Sequence, residues 1–245
     1  MLTGCNIVAH RGYSGKYPEN SPEAFAQALQ LPIHGVECDI RVSRDGQAVV
    51  IHDPSVDRTS NGTGMVARMT WPELQRLNIG TEDAPQQLML VDDLLRMLGA
   101  PGDNPHHLYI ETKPLMRHGA ALEKALARAL HRTGMVADPR VHIISFSHAS
   151  LRRLASLVPQ VDRIYLRRGW ERRWNSRDLM LSRPHALGLS LDHGKANPAA
   201  IGVGGRRTYM WTVDDPDDMR WARDNGVNLL ATNWPEVALE VIGDQ

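Results

Sequence analysis

Val36-Glu37-Cys38-Asp39-Ile40 is the stretch whose reading decides the fold. Apolar residues at 36, 38 and 40 alternate with carboxylates at 37 and 39, a period of two that predicts a strand with both acids on one face. Upstream, Ile7-Val8-Ala9-His10-Arg11-Gly12 passes from apolar to ionisable in the same way. Downstream, so do Val49-Val50-Ile51-His52-Asp53 and Leu108-Tyr109-Ile110-Glu111-Thr112-Lys113. Charge at the exit of a buried strand is costly unless it is used. β/α barrels build their active sites at such C-terminal strand ends.

The alternation runs through the chain. Strands are expected at 6–10, 35–41, 47–52, 107–112, 140–145, 162–166, 186–191, 207–213 and 227–231. Helices are expected at 21–30, 91–98, 119–133, 148–156, 196–202, 215–224 and 234–241. Asn20 or Ser21 caps the first, ahead of Pro22 and Glu23, and Asp214 or Asp215 caps the one at 215–224, which runs to Gly226. Some eight strand–helix units argue a parallel sheet closed into a barrel. Two places break the rhythm. Ser43-Arg44-Asp45-Gly46 is too short for a crossover helix and reads as a tight turn. Residues 54–90 are loop-like, with a short helix at 71–77, which marks an insertion beside an active site. The expectation is one α/β domain over 1–245, an irregular TIM (β/α)8 barrel with a small insertion after the third strand.

Composition excludes other classes. Apolar residues make up 42% and charged residues 23%, enough for a sizeable soluble core. The 28 basic and 28 acidic residues cancel, which gives no support to nucleic acid or an anionic membrane as main partner. Cys5 and Cys38 do not form a disulfide framework, and Cys38 should face apolar packing, opposite Glu37 and Asp39. Leu2-Thr3-Gly4-Cys5 resembles a lipoprotein processing site, but only Met1 precedes it. No apolar run approaches a membrane span. A cytoplasmic protein with no stable membrane insertion is expected; its oligomeric state is open.

Glu37 and Asp39 share a face, so they repel unless a cation or proton lies between them. Glu111 adds a third carboxylate, and an all-oxygen set suits a hard divalent ion. The bland reading, a surface strand matched by arginines, conflicts with the apolar Val36, Ile40, Tyr109 and Ile110. His10 and His52 are two proton carriers. Arg11 and Lys113 suit an oxyanion, and Lys113 is informative because the basic residues are nearly all Arg. A metal, a positive lining and two histidines fit displacement at phosphorus.

In combination these residues resemble the glycerophosphodiester phosphodiesterases. His10-Arg11-Gly12, Pro18-Glu19-Asn20-Ser21, Glu37-x-Asp39, Asp45-Gly46, His52-Asp53 and Thr63-Gly64 carry the resemblance through the first half. Glu111-Thr112-Lys113, Ser145-Phe146, Trp211-Thr212-Val213 and Thr232-Asn233-Trp234-Pro235 carry it through the second. It implies a TIM barrel with one divalent cation, Ca²⁺ or Mg²⁺, on Glu37, Asp39 and Glu111. It also implies His10 and His52 as acid–base pair, Arg11 and Lys113 near the phosphate, and a glycerophosphodiester cleaved to glycerol 3-phosphate and an alcohol. Phe146 and Trp211 would wall the glycerol carbons, although Phe146 reads equally as a core aromatic. Asp53 reads as an orienting partner. The run 167–174, with its arginines and tryptophans, is either a solvated face or a headgroup-binding loop. The sequence departs from the family pattern at Leu88-Met89-Leu90 and at Asn233, where an Asp is usual; neither is expected to touch the metal or the histidines. The rival readings are a lysophospholipase D or phospholipase C type enzyme and a non-catalytic anion-binding barrel. The His-x-His pair of an amidohydrolase-type barrel is absent.

Overall fold

The computed structural model describes residues 4–99, 104–113, 119–168 and 180–243. Among these residues nine strands form one sheet. They are β1 (Asn6–Ala9), β2 (Gly35–Val42), β3 (Ala48–Val50), β4 (His107–Thr112), β5 (Val141–Ser145), β6 (Asp162–Leu166), β7 (Ala186–Ser190), β8 (Arg207–Trp211) and β9 (Leu229–Thr232). Eight of them are parallel, in the order β1-β9-β8-β7-β6-β5-β4-β2, and a β1–β2 pairing closes the ring. The helices between them are α1 (Pro22–Ala28), α2 (Trp71–Leu74), α3 (Val91–Leu98), α4 (Ala121–Arg132), α5 (His148–Leu157), α6 (Leu191–Ala196), α7 (Pro216–Asp224) and α8 (Pro235–Ile242). No helix among the described residues is long and apolar enough to cross a membrane.

The period of two sorts the core. Val36, Cys38 and Ile40 of β2 and Leu108 and Ile110 of β4 turn outward onto Leu94, Leu98, Leu122 and Leu126 of the helices. Inside the barrel, Val8, Tyr109, Ile144, Ile164, Leu166, Tyr209 and Leu229 fill the space. Glu37, Asp39 and Glu111 share the inward face, toward the C-terminal rim. Both cysteines are free thiols.

The third strand is not part of the ring. β3 runs antiparallel to β2, with Val42 opposite Ala48 and Ile40 opposite Val50. β1 pairs with β2 only at Gly35 and Val36, so the upper half of that edge is free for the hairpin to fold back along. His52 therefore enters beyond the end of β1 rather than from a ninth barrel strand. Residues 54–90 then build a satellite core of Val56, Val66, Leu74, Ile79 and Leu88 against Val49 and Ile51.

One expected helix is misplaced. The structure has α6 at Leu191–Ala196, then short 3-10 turns at Pro198–Ala200 and Val203–Gly205, where a helix over 196–202 was expected. The residue before a proline is biased away from helical angles, and Asn197 sits at φ −147°, ψ 77°. Gly202, Gly204 and Gly205 all have positive φ, which ends any regular continuation.

At the N-terminal end of the barrel, imidazoles stack. His34 lies on His107 with centroids 4.1 Å apart, and His107 Nδ1 is 2.8 Å from His142 Nε2. His34 Nε2 meets the Tyr109 hydroxyl at 3.0 Å. Burial, with the neighbouring imidazoles second, pushes His34 down to about 3 and His107 to about 4. Unfolded, both protonate near 6.5. Between pH 6.5 and these lower values the unfolded chain binds more protons, so stability should fall as pH drops through that window. The urea midpoint is expected to be lower at pH 4.5 than at pH 7.5, with a smaller drop in His34→Gln. An equal drop in the variant would clear the stack of this role.

Candidate active site

The three inward carboxylates of β2 and β4 meet at one point. Asp39 and Glu111 are register partners across the strands, and Glu37 lies one inward position below Asp39. All three are buried, and one oxygen from each lies within 4.8 Å of the others. At an effective dielectric near 20, two unit charges at that distance repel by about 3.5 kcal/mol. The cluster therefore needs positive charge. Lys113, two residues beyond Glu111, brings Nζ to 2.6 Å from Glu111 Oε1 and 3.0 Å from Asp39 Oδ1. Arg11 places Nε 3.2 Å from Asp39 Oδ2.

Two cations do not balance three acids, and the titration behaviour reflects this. Burial, then Asp39 and Glu111, pushes Glu37 well up. Burial, then Asp39, raises Glu111. For Asp39 burial acts the same way but is outweighed by Lys113 and Arg11, which hold its carboxyl down. Glu37 Oε1 is buried with no hydrogen-bond partner, and Asp39 Oδ1 and Glu111 Oε1 meet Lys113 only as charge, out of hydrogen-bond alignment. Three converging, under-satisfied carboxylate oxygens are the donor set a hard divalent cation takes, so the residues fit such an ion.

A strained turn sets Arg11. It has φ +58°, rare for a residue with a side chain, and Gly12 follows at +74°. A Cβ on Gly12 would sit 2.7 Å from the Ala24 carbonyl carbon, so only glycine lets β1 exit against α1. The turn aims Arg11 N–H at Glu37 Oε2, 3.0 Å away. Such strain collects where the surroundings over-determine a conformation.

Both histidines have one ring nitrogen tied. His52 Nδ1 is 2.7 Å from Asp53 Oδ1, and a carboxylate only accepts, so Nδ1 carries the hydrogen. His10 Nδ1 is 2.8 Å from Asn233 Oδ1. The amide orientation follows from its other end, where Asn233 Nδ2 donates to Asp214 Oδ2 at 2.7 Å. His10 therefore also carries hydrogen on Nδ1, leaving Nε2, 3.9 Å from Glu37 Oε2, as the working atom. Burial lowers both imidazoles. Arg11 adds to this for His10 and Lys113 for His52, while Asp39 pushes both back up, joined by Asn233 for His10 and Asp53 for His52. Arg58 keeps Asp53 ionised, down to about 2, and also pairs with Glu19, which binds Arg11.

The geometry has its counterparts. A family model described as the glycerophosphoryl diester phosphodiesterase family matches residues 10–237. The chain belongs to this family. It is 32% identical, over 94% of its length and 89% of the other, to Probable glycerophosphodiester phosphodiesterase 1 of Mycobacterium tuberculosis. It is 30% identical to the glycerophosphodiester phosphodiesterase of Caldanaerobacter subterraneus subsp. tengcongensis, over 96% and 97% of the two chains. Among solved structures, an Oleispira antarctica phosphodiesterase in complex with the product sn-glycerol-3-phosphate superposes with a TM-score of 0.87. There the identity is 22%, and 97% and 96% of the two chains are covered. As a family member the protein is a phosphoric diester hydrolase.

Against the family's motifs, the structure brings Glu37, Asp39, Glu111, Arg11 and Lys113 into one cluster, with His10 beside it and His52 within electrostatic reach of Asp39. Phe146 and Trp211 are both partly buried and pack edge to face, centroids 5.4 Å apart. Gly188 makes room for Trp211, because a Cβ there would lie 2.8 Å from its ring. The expectation for Asn233 is overturned: it holds His10 directly. Of 167–174, Arg167 is buried, not solvated, Arg168 is exposed, and 169–174 lie outside the described residues. Sequence reasoning assigned no role to Arg58, read Glu19 only as part of a motif, and offered Asn20 and Asp214 only as helix caps. Asn20 Nδ2 donates to Asp39 Oδ2 at 3.2 Å, and its Oδ1 accepts from Asp39 N. The signal for Glu19 and Asn20 lay in the Pro18-Glu19-Asn20-Ser21 motif; Arg58 carried none.

Proposed function

We propose that this chain, as one domain, hydrolyses glycerophosphodiesters to sn-glycerol 3-phosphate and an alcohol. Glu37, Asp39 and Glu111 hold one divalent cation, Ca²⁺ or Mg²⁺, and His10 and His52 move the protons. The observation that carries this is the under-satisfied carboxylate cluster beside two histidines whose Nδ1–H groups are tied back. The product bound in the Oleispira antarctica relative supports the product named.

Arg11 and Lys113 bind the phosphate oxygens and Phe146 and Trp211 wall the glycerol carbons. When bound, the cation withdraws charge from the phosphorus centre. His10, held by a neutral amide beside Arg11, starts neutral and at Nε2 takes the proton of the nucleophile, which is either water or the neighbouring glycerol hydroxyl, whose cyclic phosphate water then opens. His52, held by the Asp53 carboxylate, is the better supported imidazolium and protonates the leaving alkoxide. An intracellular enzyme acting on soluble diesters fits this reading.

The test is product analysis on glycerophosphocholine, glycerophosphoethanolamine, glycerophosphoglycerol and a lysophospholipid, with Ca²⁺, Mg²⁺ or chelator. Release of sn-glycerol 3-phosphate from the water-soluble diesters is expected. Turnover of the lysolipid alone would move the substrate class to membranes, and no turnover with bound metal would leave an anion-binding barrel.

A further inference from the structure

A second cavity opens off the carboxylate cluster. Its volume is about 320 Å³, and Glu111, Lys113 and Phe146 are among the residues lining it. Arg41, Arg153 and Arg168 also line it. Trp211 does not, so Phe146 stands between its packing against Trp211 and this cavity.

Arg41 is the informative residue. It continues the inward alternation of Glu37 and Asp39, one register step beyond the Ile40–Thr112 pair, which puts it beside Lys113. Two cations at neighbouring strand ends repel unless an anion joins them. Lys113 is paired with Asp39 and Glu111. Arg41 makes no ion pair among the described residues, although it is only partly exposed; its Nε donates to the His52 carbonyl at 2.7 Å. The rest of its guanidinium is a fork suited to carboxylate or phosphate. Arg153 is shared with the buried Glu123 at 3.1 Å, and Glu111 is the lone carboxylate among the described residues lining the cavity. The described lining thus carries four cationic side chains, Arg41, Lys113, Arg153 and Arg168, against one carboxylate.

We propose that this cavity receives the leaving alcohol and selects one carrying an anionic substituent, a carboxylate or a phosphate, with Arg41 as its principal ligand. The inference rests on the phosphodiesterase reading above. With phosphate at Lys113 and glycerol against the Phe146–Trp211 wall, the second ester enters between Arg41, Arg153 and Arg168. A quaternary ammonium there meets like charge.

Three esters of sn-glycerol 3-phosphate of equal chain length separate charge from size: 2-carboxyethyl, butyl and 3-aminopropyl. KM should rise in that order, spanning about tenfold or more at low salt and converging as ionic strength screens the cavity. Arg41→Gln should flatten the series, Arg41→Lys should restore part of it, and Arg168→Gln should compress it. Equal KM values in the native enzyme, or an unchanged order in both Gln variants, would overturn the anionic pocket and leave the phosphodiesterase reading intact. If none of the three esters is cleaved, that reading fails and takes this one with it.

Discussion

His10→Ala and His52→Ala should each lower kcat on an unactivated glycerophosphodiester by about 10²–10⁴-fold, the range of positioned acid–base catalysis. Divalent-ion binding should survive in both, since neither histidine is in the carboxylate set. Because the two act on one reaction, the double variant should fall well short of the product of the single losses. The tie-back geometry also separates the roles. His52 Nδ1 meets a carboxylate and His10 Nδ1 meets an amide, the basis on which we propose His52 as the acid and His10 as the base. On a p-nitrophenyl ester, whose leaving group needs no proton, His52→Ala should recover most of its activity and His10→Ala should not. The opposite pattern would exchange the assignments. Near-native turnover by both variants on the unactivated substrate would end the two-histidine mechanism.

Exhaustive chelation should abolish turnover, and Ca²⁺ or Mg²⁺ should restore it. A readout independent of activity is thermal stability. A ligand binding only the folded chain at a hundred times its Kd adds about 2.7 kcal/mol, so the melting temperature should climb with added cation. Glu37→Gln should remove most of that climb. It should not lower the melting temperature of the ion-free protein, because it relieves a buried carboxylate that burial and its neighbours already force toward protonation. Full activity with no metal by elemental analysis would refute the assignment; a cation-induced climb undiminished in Glu37→Gln would remove Glu37 from the ligand set.

Much of this was legible in the chain because it is local. Strand alternation is a two-residue pattern, so Glu37 and Asp39 had to share a face, with Cys38 opposite them. Glu111 and Lys113 follow the same rule, and so does Arg41, though its lack of an ion pair among the described residues could be read only from its surroundings. The motif order brought the remaining site residues together with these. What local pattern leaves open is choice among equals. Asn20 and Ser21 both suit the cap of α1; the structure uses Ser21, whose Oγ accepts from Ala24 N at 3.0 Å, and sends Asn20 to Asp39. Asp214 and Asp215 divide in the same way, Asp215 capping α7 and Asp214 holding Asn233.

By itself, then, the sequence determined the barrel periodicity, the inward acids and the family to which the chain belongs. Only the tertiary structure decided that β3 leaves the ring, that Asn233 orients His10 across 223 positions, and that Arg41 has no ion-pair partner among the described residues. The physical reason is range: a strand's facing is fixed by its own backbone geometry, whereas a hydrogen bond between distant residues exists only once the barrel has closed and brought its first and last strands side by side.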